Sequence, residues 1–506
     1  MNAKNPRQIA LSVLQSRRQT GEFTEILLDR ALVPGPSPAP GTSQGRAISP
    51  ADRALCHELV YGVVRAQSAL DWLIARKTGG RQQNAGIQNV LRLGLYQVFW
   101  LDRIPAHAAV HETVELAKRQ GFGPKAGFVN AVLRGFLREF DATKSLLAGL
   151  RVSNPAVAFS HPQWLVEKWE KRFGTERMRQ FLEWNNTPPK NFARVNTLKT
   201  DAGKLLERWR NENVEYDFVR RDFLQNRASE QAVPARGISN SESRSLTVGA
   251  QLPLDLETAI FELKSHPPLA SLESFREGWF YVQDPSTLLA PLELEPRPGE
   301  MVLDLCAAPG GKTTVIAQLM GNTGKIIASD VSKERLKLVE ENCLRLGVTS
   351  VHPILKSRLA VDHSAGPIIR RSKQSADNSP SPGGEGGRLT DFLPDQNSQF
   401  DRILIDAPCS NTGVMRRRID LRWRISPDEI ARLHQTQLDL LNLAAPNVKP
   451  GGILVYSTCS LEPEENSSVI QEFLKENDQF SLDHERELFP FQDNVDGAYV
   501  AKLLKS

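Results

Sequence analysis

The 506-residue chain has no apolar run of membrane-spanning length, and Met1-Asn2-Ala3-Lys4-Asn5-Pro6-Arg7 leads into a polar amphipathic stretch, so neither a bilayer protein nor a secreted one is expected. Cysteine is scarce: five residues, at 56, 306, 343, 409 and 459. An odd number at irregular spacings excludes a disulfide framework and a paired zinc pattern. It suits a reducing cytoplasm, where a thiol stays usable as a nucleophile. Two phosphate-binding signatures are missing as well. A triphosphate loop needs a glycine five residues before Gly311 in Gly311-Lys312-Thr313, and Cys306 stands there. The three spaced glycines that a dinucleotide requires are absent too. Excess charge is small, +4, but uneven. Residues 1–150 hold 19 Lys and Arg against 11 Asp and Glu, which leaves 44 against 48 for the rest. A basic N-terminal third points to a polyanionic partner, the plainer alternative being a solvated surface of scattered charge.

What is present reads first as helix. Asn5-Pro6 has the form of an N-cap followed by proline at the first helical position, and Ile9, Ala10, Val13 and Leu14 form one stripe. Residues 34–49 read as a loop, after which Ser49-Pro50-Ala51-Asp52 restarts a helix with Leu55, Leu59, Val60 and Val63 inward. Further helical patterns run over about 87–101, 105–120 and 125–140, so a bundle is expected over 1–145. Residues 155–270 mix helix and strand around a polar insertion at 226–251. From 275 to 506, apolar strands at Val302–Leu305, Lys325–Asp330, Phe400–Asp406 and Gly452–Ser457 alternate with helices, interrupted by a polar stretch at 364–389. Such alternation predicts a doubly wound, mostly parallel sheet with ligands at its C-terminal strand ends.

The strings with chemical content fall at those ends. In Cys306-Ala307-Ala308-Pro309-Gly310-Gly311-Lys312 the glycines let a ligand approach the backbone closely. Asp330, at the next strand end, is placed to accept hydrogen bonds from ribose hydroxyls. Turn and acid together suit NAD or S-adenosylmethionine; a bare strand-to-helix turn with Asp330 as a cap is the plain alternative. Asp406, Cys409 and Cys459 supply an acid and two thiols on neighbouring strand ends. A thiolate that adds to C6 of cytosine makes C5 nucleophilic toward a sulfonium methyl, and a carboxyl balances charge at N3. Taken singly, each cysteine reads more simply as a small buried apolar residue; as a set beside a cofactor turn they read as chemistry.

Asp304-Leu305-Cys306-Ala307-Ala308-Pro309-Gly310-Gly311-Lys312-Thr313-Thr314, Asp406-Ala407-Pro408-Cys409-Ser410-Asn411-Thr412-Gly413 and Tyr456-Ser457-Thr458-Cys459-Ser460, with Leu461-Glu462-Pro463-Glu464-Glu465-Asn466 behind, resemble RNA cytosine-C5 methyltransferases. With the helical N-terminal third, which looks like a NusB fold, the chain is similar to bacterial 16S rRNA methyltransferases of the RsmB (Sun) type. The resemblance covers nearly the whole chain apart from three polar insertions. It implies an all-α NusB-like bundle that binds RNA (1–145), a small α+β linking domain, RNA-recognition-like (155–270), and a Rossmann-like S-adenosylmethionine-dependent methyltransferase domain (275–506). By the resemblance Cys459 is the nucleophile, Cys409 assists release of the adduct, and Asp406 contacts both the cytosine and the methionine end of the cofactor. Cys306 to Lys312 line the cofactor cleft and Asp330 binds ribose. The implied enzyme is a cytoplasmic monomer acting on 16S rRNA without a metal. The same reaction on tRNA, or a non-catalytic RNA-binding assembly factor, remains as an alternative.

One departure and two surface expectations complete the reading. The family places an Asp near the adenine at the end of the third strand; here Ile354-Leu355-Lys356-Ser357-Arg358 has no acid, and Asp362 or Asp391 would have to substitute. Met415–Arg424, five arginines around Trp423, suits phosphate contact and base stacking, against an exposed helix start with salt bridges. Arg7, Arg17, Arg18, Arg65, Arg119 and Lys125 are candidates for a second RNA surface. His107 and His111, four apart without a third ligand, are expected to cap or line the bundle interface rather than hold a metal.

Overall fold

The computed structural model describes residues 5–32, 48–219, 259–355 and 399–506. Asp362 and Asp391, the insertions at 226–251 and 364–389, and nearly all of the 34–49 loop lie outside the described residues. Two compact units are formed, residues 1–189 with 414–425, and 190–413 with 426–506. Among the described residues no helix is long and apolar enough to cross a membrane.

The first unit is helical because its sequence starts and stops helices cleanly. The Asn5 side chain accepts from Arg7 N ahead of Pro6–Thr20, and Ser49 accepts from Asp52 N ahead of Pro50–Arg65. Helices Gln67–Thr78, Ala85–Trp100, Ala106–Ala117 and Ala126–Arg138 complete a bundle around Leu11, Val60, Leu91 and Leu133. His107 and His111 are exposed on Ala106–Ala117, so they do not line its interior.

Segment 414–425 is part of this unit, and it corrects the expectation of an arginine collar for RNA. Ile419 is buried in the helical core. Asp420 accepts from Arg17 Nε at 2.5 Å, Thr24 N at 2.6 Å and Thr24 Oγ1 at 2.8 Å. Arg422 has no exposed surface; its guanidinium donates to Asn186 Oδ1 at 2.7 Å and to the Asn185 carbonyl at 3.0 Å. Arg416 is buried over the Trp184 ring at 3.9 Å, and Arg424 stacks on Phe23. Most of these arginines hold protein together, because clustered carbonyls and rings also satisfy a guanidinium. Arg7 and Arg17 are likewise committed, to Gln97 and Asp420, whereas Arg18, Arg119 and Lys125 are exposed.

The second unit contains two sheets. Strands β1 (Asn191–Val195), β2 (Glu215–Phe218), β3 (Ile260–Ser265) and β4 (Phe280–Val282) form a wholly antiparallel sheet ordered β2–β3–β1–β4, closed by Trp209, Phe261 and Phe280. Buried Arg194 of β1 donates to Gln318 and to Thr314 Oγ1 on helix Gly311–Leu319, which ties this sheet to the larger one. The larger sheet holds β5 (Met301–Asp304), β6 (Lys325–Asp330), β7 (Val351–Leu355), β8 (Phe400–Asp406), β9 (Val448–Thr458), β10 (Phe480–Leu488) and β11 (Ala498–Lys505). Its order is β10–β11–β9–β8–β5–β6–β7. The five strands from β9 to β7 are parallel, and β11 and β10 add antiparallel pairs. Chain order reverses between β5 and β8. A crevice outside the carboxyl ends of these strands is where such sheets bind ligands.

Candidate active site

Four strand ends straddle that reversal. Residues 306–310 follow β5, Asp330 ends β6, Asp406 ends β8, and Cys459 follows β9. The sequence thus places every expected site residue at one edge of one sheet.

The turn after β5 is held by backbone contacts. Ala307 N donates to the Ser329 carbonyl at 3.0 Å and Gly310 N to the Ala307 carbonyl at 2.7 Å. From helix Lys333–Leu346, Arg335 donates to the Ala308 carbonyl and Asn342 to that of Pro309. Gly310 has φ +99°, and a Cβ there would lie 3.3 Å from Val339 Cα. Gly311 begins the helix Gly311–Leu319, whose first N–H groups favour negative charge. Asp330 accepts from Ala308 N at 3.2 Å and Ser332 N at 3.1 Å, with Arg335 3.5 Å away. Asp304 accepts from Thr313 Oγ1 at 2.7 Å, while its buried Oδ1 has no hydrogen-bond partner. Burial pushes the Asp304 carboxyl up to about 7, with Thr313 pulling the other way. A glycine-lined turn, a helix N-terminus, a carboxylate at the next strand end and an unused acceptor fit a nucleoside carrying a charged amino-acid tail.

On the other side of β5, Lys312 Nζ lies 2.6 Å from Asp406 Oδ2, and Ser457 Oγ donates to Asp406 Oδ1 at 3.0 Å. Burial works against the Lys312 ammonium, but the Asp406 charge and hydrogen bond outweigh it and raise its pKa. Cys409 Sγ and Cys459 Sγ are 3.3 Å apart, and Cys459 Sγ is 3.1 Å from Asn411 Oδ1. Asn411 stands at φ +57°, and its Nδ2 donates to the Cys409 carbonyl at 2.5 Å, which turns its oxygen toward Cys459. The hydrogen bond to Cys459 and then burial push the Cys409 thiol well up, so Cys409 is a neutral S–H at physiological pH. Cys409 is buried and Cys459 only half-buried.

Several residues that shape this site carry no signal of their own in the sequence. Gly413 N donates to the Cys459 carbonyl at 3.0 Å and Gly497 N to the Gly413 carbonyl at 2.9 Å. Asn411 and Gly497 are unremarkable in composition and matter only through the fold. Glu465 was visible merely as part of a longer string, though its side chain reaches both cysteine loops. Among the described residues no group of three or more His, Cys, Asp and Glu is placed to hold a metal.

Comparison with known proteins gives the chain its relatives. The family described as 16S rRNA methyltransferase RsmB/F matches residues 291–368 and 385–504, the NusB family matches 4–138, and the RsmF/B-like ferredoxin-like domain matches 161–221. The probable ribosomal RNA small subunit methyltransferase B of Bacillus subtilis is 33% identical over 488 residues, 96% of this chain and 91% of that protein. The ribosomal RNA small subunit methyltransferase B of Yersinia enterocolitica is 32% identical over 515 residues, 100% of this chain and 99% of that one. The crystal structure of PH0851 shares the fold over 100% of both chains, with a TM-score of 0.67 at 23% identity. With a third of its residues shared along nearly its full length, the chain belongs to the ribosomal RNA small subunit methyltransferase B family.

Proposed function

We propose that this protein methylates C5 of cytosine in 16S rRNA through a transient bond between Cys459 and C6 of the base. The observation that carries this is the thiol pair at 3.3 Å beside the Lys312–Asp406 ion pair, on the strand ends that flank the glycine turn. The cofactor is S-adenosylmethionine, which when bound supplies the electrophilic methyl group that C5 takes. Cys306, Ala307, Ala308, Pro309, Gly310, Gly311 and Lys312 would hold it, with Asp330 on the ribose and Asp406 toward the methionine end.

Cys459 is the nucleophile because it is the more accessible thiol and has a neighbouring S–H to stabilise its anion. Its sulfur bonds to C6, and the C5–C6 π electrons become available at C5. The Lys312–Asp406 pair, with Ser457 on the second Asp406 oxygen, meets the N3 edge of the ring through Asp406. A proton passed from the pair to N3 balances the negative charge that develops there and returns when the adduct breaks down. After the methyl group is in place, C5 loses its proton to a base, the C5–C6 bond re-forms and the sulfur–C6 bond breaks. Cys409 assists that departure by donating its S–H to the leaving Cys459 thiolate. The division of labour follows the three segments: 1–145 contacts RNA, 155–270 links, and 275–506 carries out the chemistry.

Two variants test the assignment. With labelled S-adenosylmethionine and unmodified 16S rRNA, Cys459→Ala should lose turnover entirely while still binding the cofactor; retained activity would refute the role of Cys459. Cys409→Ala should leave a protein–RNA adduct stable to denaturant, and a gel without a shifted band would count against release by Cys409. Absence of transfer by the unaltered protein, on both 16S rRNA and tRNA, would favour a binding or assembly factor.

A further inference from the structure

Behind the thiols lies a buried carboxylate that the chemistry above leaves unused. Glu465 ends the short turn Pro463–Glu465, just after the Cys459 loop, and has no exposed surface. Its Oε1 accepts from Ser410 N at 2.8 Å and Gln437 Nε2 at 3.2 Å. Its Oε2 accepts from Ser460 Oγ at 2.5 Å and from Ser410 Oγ. Ser410 and Ser460 are the residues directly after the two thiols. Gln437 also donates to the carbonyl of Pro408, directly before Cys409, at 2.9 Å. The Glu465 carbonyl in turn accepts from Tyr456 OH on β9 at 2.6 Å. One side chain therefore holds the Ser410 backbone beside Cys409 and the hydroxyls of the residues that follow both cysteines.

These contacts call for a carboxylate. Four donors converge on two oxygens and none of the four is a cation, so an anion is solvated here by neutral groups alone. Burial pushes the Glu465 carboxyl up, and its serine and glutamine donors pull it back. A glutamine in its place would turn an NH2 group toward a hydroxyl or amide donor. The Glu465 charge also disfavours ionisation of Cys409, after the larger effects of Cys459 and burial.

We propose that Glu465 is the positioning residue of the thiol pair: it ties the Cys409 and Cys459 loops together at contact distance. The proposal rests on the roles of the two thiols given above. Its test uses the full-length protein carrying Glu465→Gln. Turnover should fall roughly 100-fold, as displacement of reacting groups by about 1 Å does, with KM for RNA and for S-adenosylmethionine within about twofold. Alkylation of Cys409 by iodoacetamide, followed by mass spectrometry against pH, should shift to lower pH because the neighbouring anion is gone. Ser460→Ala removes one tether and keeps the charge. It should cost roughly threefold to tenfold in turnover and leave the alkylation profile in place; it also serves if Glu465→Gln does not fold. Unchanged turnover in Glu465→Gln, lost turnover with an unmoved profile, or an equal shift in Ser460→Ala would each overturn the proposal. Activity retained in Cys459→Ala would instead strike at the thiol assignment, whatever Glu465→Gln shows.

Discussion

Two sulfur atoms in contact are made different by their surroundings: Cys409 is buried against Cys459 and feels the Glu465 charge, while Cys459 is only half-buried. Asp304 is set apart from Asp406 in the same manner. Asp406 has a lysine on it; Asp304 has one threonine and an unpartnered oxygen. With its folded pKa raised to about 7, Asp304 binds a proton more tightly in the folded chain than in the unfolded one. Its contribution to stability is therefore full below the unfolded value near 4 and is lost as pH rises through about 7. Asp304→Asn should remove that dependence, stabilising the cofactor-free protein at pH 8 by on the order of 1–3 kcal/mol and much less at pH 5. Urea titrations at the two pH values check this, and an equal effect at both would sink it. At this scale the sequence was readable where strings set residues side by side: Cys459, Cys409 and Asp406 do lie together on neighbouring strand ends, as their strings suggest. It was silent on Asn411, whose relevance depends on a left-handed backbone and a neighbour 48 positions away.

Elements that bury both faces were among the readable ones: β6 carries buried Ile326, Ile327 and Ala328 and β8 buried Ile403, Leu404 and Ile405, and both end in aspartate, as parallel central strands can. The β10–β11 hairpin was missed because Phe480–Leu488 carries Asp483, Glu485, Arg486 and Glu487, the charges that protect an edge strand and hide its alternation. That hairpin nevertheless matters for the site. Its second strand is entered through Gly497, where a Cβ would lie 2.7 Å from Gly413 Cα and 3.0 Å from Leu461 Cδ2. Gly413 holds the Cys459 carbonyl, so any widening there moves the nucleophile loop. Gly497→Ala should cost about 1–3 kcal/mol of stability through overpacking and lower turnover at least tenfold. Gly127→Ala, in a helix with nothing within 4 Å of the new methyl, should be neutral or slightly stabilising. Thermal melts and methyl-transfer rates on the pair decide it; equal behaviour of the two variants would remove the close glycine contact from the account.

Across the whole molecule the basic side chains of the N-terminal third divide into bonded and exposed ones, and only the structure separates them. Arg7 and Arg17 are occupied by Gln97 and Asp420, so they are tied into the helical unit. Composition counts them with Arg18, Arg119 and Lys125, which are exposed. An rRNA methyltransferase must hold a polyanion, and phosphate contacts release counterions in proportion to the charges engaged. If these three exposed side chains meet RNA, reversing all of them to Glu should weaken binding and flatten the slope of log affinity against log salt by about 2–3. Arg17→Gln should leave that slope unchanged even though it lowers stability, because a guanidinium already paired with the Asp420 carboxylate contributes no counterion release. Filter binding of 16S rRNA across a salt series reads both quantities. A slope that survives the triple reversal would place the RNA contacts of the chain elsewhere than on these three residues.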